Sequence, residues 1–341
     1  MAKLNRIKIL LGAYIDSVNA QDINCYNIGK YLDKSKFEVH AFTHGEAIDL
    51  PDVKVHKISK NRLLKNIQKY ITMNSLQADI YYLPRVEKVD ILFSRTHRKA
   101  RIVSSVEIQT VYNNETYKKF FNTYCSGYFC ISNFLNELNK KYWGNEVPVI
   151  YLGVDKLDKT KKTNSGLKTI IWVGSVVKRK RPALLLEVAK KLPETQFVMV
   201  GDGDLLPEIR NKIAKEKISN VQLTGKLENR DVIAMFHSSD LLLMTSEMEG
   251  LPKVILEAAS CGVPSIYLNE NYSVDYIIDN INGFGVSNID EMISKVESLI
   301  NDRISYMKMS NEAAVAAEKY LWSNLIHDYE MFFQEHSKRE G

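Results

Sequence analysis

Short apolar runs alternate with stretches of helical periodicity along nearly the whole chain, and this alternation constrains the fold more than any other feature. In the first half the runs fall at residues 7–11, 37–42, 53–58, 80–83, 102–106 and 128–131, and in the second at 169–173, 197–200, 221–223, 241–244 and 264–267. Bounded by polar turns and rich in branched and aromatic side chains, they read as buried strands. Helical patterns fill the gaps, among them 183–192, 204–217, 230–237 and 254–261, and residues 303–336 read as helix nearly throughout. Parallel strands need a crossover helix to return the chain, so the pattern predicts an α/β protein with doubly wound parallel sheets. The segment VDKLDKTKKTNSGLK (154–168) is polar and predicts a linker between two Rossmann-like domains, 1–153 and 169–320. Two such domains would face each other across a cleft, with ligands beyond the carboxyl ends of the strands.

With 341 residues, 45% apolar and 26% charged, neither a disordered nor a fibrous chain is expected. Cys25, Cys125, Cys130 and Cys261 form no C-x-x-C pair, which excludes a zinc ribbon and a disulfide framework and suits a reducing cytoplasm. The opening MAKLNRIKILLGAYID imitates a signal peptide, but Asp16 ends its apolar run, so a first buried strand is expected. No stretch approaches the roughly 18 uncharged apolar residues that would span a bilayer. The expected setting is cytoplasmic, with peripheral attachment at the inner face of the cell membrane as one possibility.

The net charge of +5 is unevenly spread, +8 over residues 1–150 and −3 over 151–341. The densest stretch runs from Lys54 to Lys69, KVHKISKNRLLKNIQK, and reads as a basic amphipathic helix that would meet an anionic membrane surface or simply be solvated. No nucleic-acid-binding motif accompanies the charge, so nucleic acid is not expected as a partner.

The segment with the most chemistry is SEMEGLPKVILEAASCGVP, residues 246–264. It follows the apolar run DLLLMT, turns at Gly250 and enters a helix through Pro252. Glu249 lies in the turn and Glu257 in the helix, so carboxylates for hydroxyl groups flank the Gly250 and Leu251 amides, which suit phosphate. Asp202-Gly203-Asp204 spells a D-x-D metal motif, but its acids suit turn and cap chemistry better. Gly201-x-Gly203 is an incomplete dinucleotide fingerprint, its third position being Leu206. That gap counts against a nicotinamide-dependent oxidoreductase. His40 and His44 sit on a strand leading into a loop and share no helix face for a metal.

The stretch EGLPKVILEAASCGVP resembles the signature E-G-(x)-x-P-x-x-x-x-E-A-x-x-x-G-x-P of the retaining nucleotide-sugar glycosyltransferases of family four, which have the GT-B fold. The resemblance implies that Glu249 contacts the transferred sugar, that Glu257 holds the ribose, and that Gly250, Leu251, Pro252 and Lys253 meet the diphosphate. TIIWVGSVVKRKRPALLLEVAKKL looks like the family's diphosphate-holding turn, with Gly174 and with Lys180 at its lysine position. The family's usual Arg is Ser175 here, so either Arg179 or Arg181 would substitute or donor binding would be weak, whereas Lys178, Arg179 and Arg181 also read as a solvated run. Lys226 and Leu227 fall at the base-binding turn. Gly12 is the one glycine left where relatives often carry a phosphate-side pair. Glu107 stands where relatives often have His, either positioning the acceptor or serving as a surface acid. KYLWSNLIHDYE resembles terminal helices that cross back to the first domain, so 321–341 is expected there, with Trp322 as packing.

The implied activity is transfer of a sugar from a nucleotide diphosphate sugar to a glycan or lipid-linked acceptor, with no metal and no resident cofactor. Ser175, Glu107 and the missing glycine favour a rival reading, a non-catalytic GT-B partner subunit.

Overall fold

The chain divides into two compact units, one comprising the residues up to Leu152 together with those from Trp322 onward, the other Gly153–Leu321. The computed structural model describes residues 6–17, 19–45, 50–157 and 167–337. Most of the segment predicted as a linker, 158–166, lies outside the described residues. Its first residue is not loose chain: Val154 is buried, bridges Leu321 and donates its amide to the Tyr320 carbonyl.

The first unit runs β1 (Ile7–Tyr14), α1 (Ala20–Tyr31), β2 (Phe37–Thr43), β3 (Val53–Lys57), α2 (Arg62–Leu76), β4 (Ile80–Tyr82), α3 (Lys88–Thr96), β5 (Ile102–Val106), α4 (Glu115–Lys119), β6 (Gly127–Cys130) and α5 (Asn133–Trp143). The second runs β7 (Thr169–Val173), α6 (Ala183–Lys191), β8 (Gln196–Val200), α7 (Leu206–Glu216), β9 (Val221–Gly225), α8 (Asn229–Ser238), β10 (Leu241–Met244), α9 (Lys253–Ser260), β11 (Ser265–Leu268), β12 (Gly283–Val286), α10 (Ile289–Asn301) and α11 (Arg303–Glu318). A last helix, α12 (Trp322–Ser337), belongs to the first unit.

The two sheets are ordered β3-β2-β1-β4-β5-β6 and β12-β11-β10-β7-β8-β9, parallel throughout. Each is the same doubly wound topology, and strand order reverses between β1 and β4 and between β7 and β10. Those two reversals are the switch points where such sheets bind ligands.

Three sequence expectations need correction. Strand β1 extends through Gly12 to Tyr14, so Gly12 is a strand residue, not a loop glycine. A Cβ on it would lie 2.5 Å from Leu83 Cδ2 and 2.9 Å from the Tyr82 carbonyl oxygen, so the close approach of β4 is what demands glycine. Strand β12 was not expected, because GFGV has weak strand propensity. Gly283 is required there because a Cβ would stand 2.6 Å from the Ser265 carbonyl oxygen of the neighbouring strand. Residues 303–336 are helical nearly throughout, as expected, in two helices parted where Leu321 pairs with Val154.

The third correction concerns Lys54 to Lys69. Its first part is the edge strand β3, and α2 starts only at Arg62, where the Asn61 side chain accepts from the Leu63 and Leu64 amides. The sequence leaves open which side of the helix faces inward, and the structure turns the basic side in. Lys69 is fully buried and Lys65 mostly so, while Leu63, Leu64, Ile67 and Ile71 are exposed. The cause lies at the start of α3, where Glu87 lies 3.0 Å from Lys65 Nζ and 2.9 Å from Lys69 Nζ, and Asp90 lies 2.8 Å from Lys69 Nζ. A buried ammonium is tolerated only with such partners.

Helix α12 completes the core of the first unit. Tyr329, Phe332 and Phe333 are buried. Phe129 meets Tyr329 at 5.5 Å and Phe332 at 5.1 Å between ring centroids, and Tyr82 meets Phe333 at 5.6 Å. Each such pair adds about 0.5–1.5 kcal/mol beyond its area. Glu330 accepts from the Asp33 amide and from Lys36 Nζ, both at 2.9 Å. Trp322 is buried in the same unit, stacked at 6.5 Å on Tyr31.

Candidate active site

At the switch point of the second unit, the chain leaves β7 at Gly174 and β10 at Thr245, and side chains stitch the two exits together. The buried Thr245 hydroxyl accepts from Trp172 Nε1 at 3.0 Å and donates to the Lys180 carbonyl at 2.8 Å. The Glu247 amide donates to the Arg179 carbonyl at 2.9 Å. Arg181, held at a left-handed φ of 45°, donates to the carbonyls of Thr245 (2.8 Å) and Ser246 (3.2 Å) and to the Glu270 carboxylate. That commitment makes Arg181 a structural clamp.

The clamp fixes the short turn Lys178–Lys180 so that two cations converge on Glu249. Lys180 Nζ lies 2.5 Å from Glu249 Oε1. Arg179 Nη1 donates to the same oxygen at 3.1 Å and to the Met248 carbonyl at 2.6 Å. Glu249 and Lys180 are largely shielded, whereas Arg179 keeps 40% of its side chain exposed. Ser175 is exposed and Gly174 half-buried beside the Lys180 side chain.

Beyond Glu249 the chain passes Gly250, Leu251 and Pro252 into α9, whose first residue is Lys253. The Tyr276 hydroxyl donates to the Pro252 carbonyl at 2.5 Å, tying the helix entry to the loop after β11. Glu257 stands mid-helix. Burial pushes its carboxyl above the ordinary range, and the Lys253 charge opposes that shift only in part. Lys226 is exposed and Leu227 half-buried just past β9, following Gly225 at a φ of 73°.

The glycines of the Gly201–Gly203 turn have packing reasons. A Cβ on Gly201 would lie 1.8 Å from the Gly174 carbonyl oxygen, and one on Gly203 would lie 2.6 Å from that of Val176, with φ at 143° and 157°. The Asp202 carboxylate accepts from the Gly203 amide at 2.8 Å, which is turn chemistry. The turn therefore supports the β7 exit.

The first unit treats its switch point differently. There the ring of Tyr14 has the cations of Lys65 (4.9 Å), Lys69 (5.3 Å) and Arg85 (5.0 Å) near it, and its hydroxyl donates to Glu87 at 2.5 Å. Arg85 also pairs with buried Asp22 at 2.8 Å. Burial alone would raise the Glu87 carboxyl, but Lys69, Tyr14 and Lys65 outweigh it and bring it to about 2. This balanced network fills the position with protein charges. It has no counterpart among the sequence-derived site residues, since its members come from β1, α1, α2 and the turn before α3.

Glu107 follows β5. Ser105 Oγ donates to its Oε1 at 2.8 Å, Asn24 reaches its Oε2 at 3.4 Å, and the Tyr82 hydroxyl backs Ser105 at 2.9 Å. Two polar side chains thus hold the carboxylate, and a third holds one of them in place. His97 is stacked on Phe93 at 4.3 Å and bonded to Asn74. His40 is buried and bonded to His56 and Glu38.

The comparisons with known proteins agree with this geometry. Residues 154–315 match the family model "Glycosyl transferases group 1". An uncharacterized glycosyltransferase of Methanocaldococcus jannaschii is 21% identical over 96% of this chain and 98% of its own. The UDP-Gal:alpha-D-GlcNAc-diphosphoundecaprenol alpha-1,3-galactosyltransferase of Escherichia coli is 28% identical over 44% of this chain and 40% of its own. Several of the curated relatives are matched, like this one, over about half their length or less. The solved structure of Anabaena HepE in complex with UDP and glucose aligns with a TM-score of 0.81 over 96% of this chain and 99% of that one, at 15% identity. Two parallel six-stranded sheets, a signature helix at the second switch point and these likenesses lead to one assignment: the chain has the GT-B fold and carries the domain of the group 1 glycosyltransferases.

Proposed function

We propose that this protein transfers a sugar from a nucleoside diphosphate sugar to an acceptor hydroxyl with retention of configuration, in the assembly of a surface polysaccharide or glycoconjugate. The observation that carries the reading is the convergence of Lys180 and Arg179 on Glu249 at the entry to α9. In the reaction, the bond from the anomeric carbon to the phosphate oxygen breaks while the acceptor oxygen bonds to that carbon on the same face. The acceptor proton passes to the departing phosphate oxygen. Charge gathers on the diphosphate, and Lys180 and Arg179 offset it without a metal ion. Arg179 thereby supplies the guanidinium that Ser175 lacks.

Glu249, released from its cations as the phosphates take them, accepts from hydroxyls of the transferred sugar. Glu257 accepts from the ribose, Gly250 to Lys253 meet the diphosphate, and Lys226 and Leu227 border the base. In the first unit, Glu107 orients the acceptor hydroxyl. The name of the Escherichia coli relative gives that protein a UDP-sugar donor and a diphosphoundecaprenol acceptor, which supports a UDP-sugar and a lipid-linked acceptor here. A thermal-shift screen against UDP-, GDP-, dTDP- and ADP-sugars tests the reading. A ligand at 100 times its dissociation constant adds about 2.7 kcal/mol to stability. No shift with any of the four would favour the non-catalytic partner subunit.

A further inference from the structure

We propose that the outward ridge of α2 docks the first unit on an anionic lipid membrane. The ridge consists of Leu63 (70% exposed), Leu64 (51%), Ile67 (48%) and Ile71 (59%). At 100° per residue these four positions fall within about a quarter turn of each other, so they form one continuous apolar stripe. Its existence is forced from below. The inner face of the helix is spent on Lys65 and Lys69, which the carboxylates of Glu87 and Asp90 hold against the protein, and the leucines and isoleucines are left on the solvent side. An ordinary surface helix has the opposite polarity. A contiguous exposed apolar ridge marks an interaction surface.

Charge identifies the occupant. Between residues 50 and 106 the exposed Lys and Arg are Lys54, which pairs with Glu38, and Lys57, Lys60, Arg62, Lys88, Arg95, Arg98 and Lys99, against the exposed acids Asp52 and Asp79. The other two acids of that stretch, Glu87 and Asp90, are shielded against Lys65 and Lys69. On α3, which packs on α2 through Tyr70 and Phe93, the half-exposed Leu92 lies between Lys88 and Arg95 at helical spacing. An apolar stripe within a field of one sign suits a surface with a fatty interior and anionic head groups, and it repels a second copy of the same positive surface. Near such a membrane each Lys or Arg strengthens binding about fivefold, an effect that salt removes, whereas buried apolar side chains hold regardless of salt.

The test is co-sedimentation of the full chain with phosphatidylglycerol or phosphatidylcholine vesicles at low and high salt. Two variants are compared: Leu63, Leu64, Ile67 and Ile71 all changed to Ser, and Arg62, Lys88, Arg95 and Lys99 all changed to Gln. All eight side chains are exposed, and circular dichroism checks that both variants fold. The wild type is expected to bind phosphatidylglycerol at least tenfold better than phosphatidylcholine. The Gln variant should lose that preference. The Ser variant should bind weakly and be released completely by salt that only reduces wild-type binding. Equal partitioning of all three proteins, or no sedimentation of the wild type, overturns the proposal. So does a wild-type dimer that the Ser variant dissociates in the absence of lipid binding, which would give the ridge to a second copy.

Discussion

Lys180 Nζ lies 2.5 Å from Glu249 Oε1, so the cation suited to a departing diphosphate is held, without ligand, by the carboxylate suited to the sugar. Under the proposed function, donor binding exchanges partners within one cluster, with Arg179 as the third member of the exchange. Lys180→Ala is expected to lower the transfer rate about 10²–10³-fold, the loss typical of removing one donor to developing negative charge. Arg179 stays in place, so affinity for the free nucleoside diphosphate should fall only about tenfold. Calorimetric titration and turnover with the donor identified by the thermal-shift screen measure the two effects.

For Glu257 the expectation concerns pH. Burial raises its carboxyl, so the ligand-free protein holds a proton on it more readily than an exposed Glu would. Ribose hydroxyls favour the carboxylate form, so nucleotide affinity should rise with pH as that proton is lost. Glu257→Gln should weaken binding by about 1.5–3 kcal/mol at neutral pH and remove the pH dependence. A titration series from pH 5 to 8 on both proteins checks this.

Acid should weaken the first unit through Glu87. Its carboxyl is ordinary in the unfolded chain and about 2 when folded, so its stabilisation is present above the unfolded value and is lost as pH falls toward 2. The amount is about 3 kcal/mol at most. Denaturant unfolding between pH 6 and 2 should show a steep loss for the wild type. In Glu87→Gln the slope should flatten, from a lower starting stability.

Two glycines with left-handed φ provide a matched comparison. Gly201→Ala drives a Cβ to within 1.8 Å of the Gly174 carbonyl oxygen and displaces the turn that carries Lys180. Gly144, at a φ of 79°, has nothing within 4 Å of an added Cβ. Its Ala variant should cost about 1 kcal/mol and leave transfer intact, whereas Gly201→Ala should cost more than about 3 kcal/mol and lose activity. Melting temperatures and donor turnover for the two variants separate them.

Transfer should also survive excess EDTA, because Lys180 and Arg179 supply the positive charge at the diphosphate. Activity lost on chelation and restored by manganese or magnesium would return Asp202 and Asp204 to consideration as ligands.

Much of this architecture was legible because parallel strands buried on both faces leave continuous apolar runs, and those runs located eleven of the twelve strands among the described residues. Strand β12 escaped because Gly283 is chosen for its clearance from Ser265, which is a tertiary reason invisible in local propensity. In the second unit, Glu249 and Lys180 were named from the family resemblance, and the structure brings them together at the ends of the neighbouring strands β7 and β10. The partner of Arg181, Glu270, is 89 positions away, and no periodicity announces such a pairing. The orientation of α2 was hidden for the same reason. Its pattern of apolar and basic residues is symmetric to inspection, and only Glu87 and Asp90, arriving from another helix, decide which side faces inward.

The place of α12 bears on how the protein emerges from a ribosome. Gly153–Leu321 is made in one continuous stretch and can close its sheet as soon as that stretch is available. The earlier-synthesised strands of the other unit must wait for Tyr329, Phe332 and Phe333, which come some three hundred residues after Phe37. The part translated first is therefore the part finished last. Until then the side of its sheet that meets these aromatics remains an uncovered, sticky surface of the kind that chaperones shield.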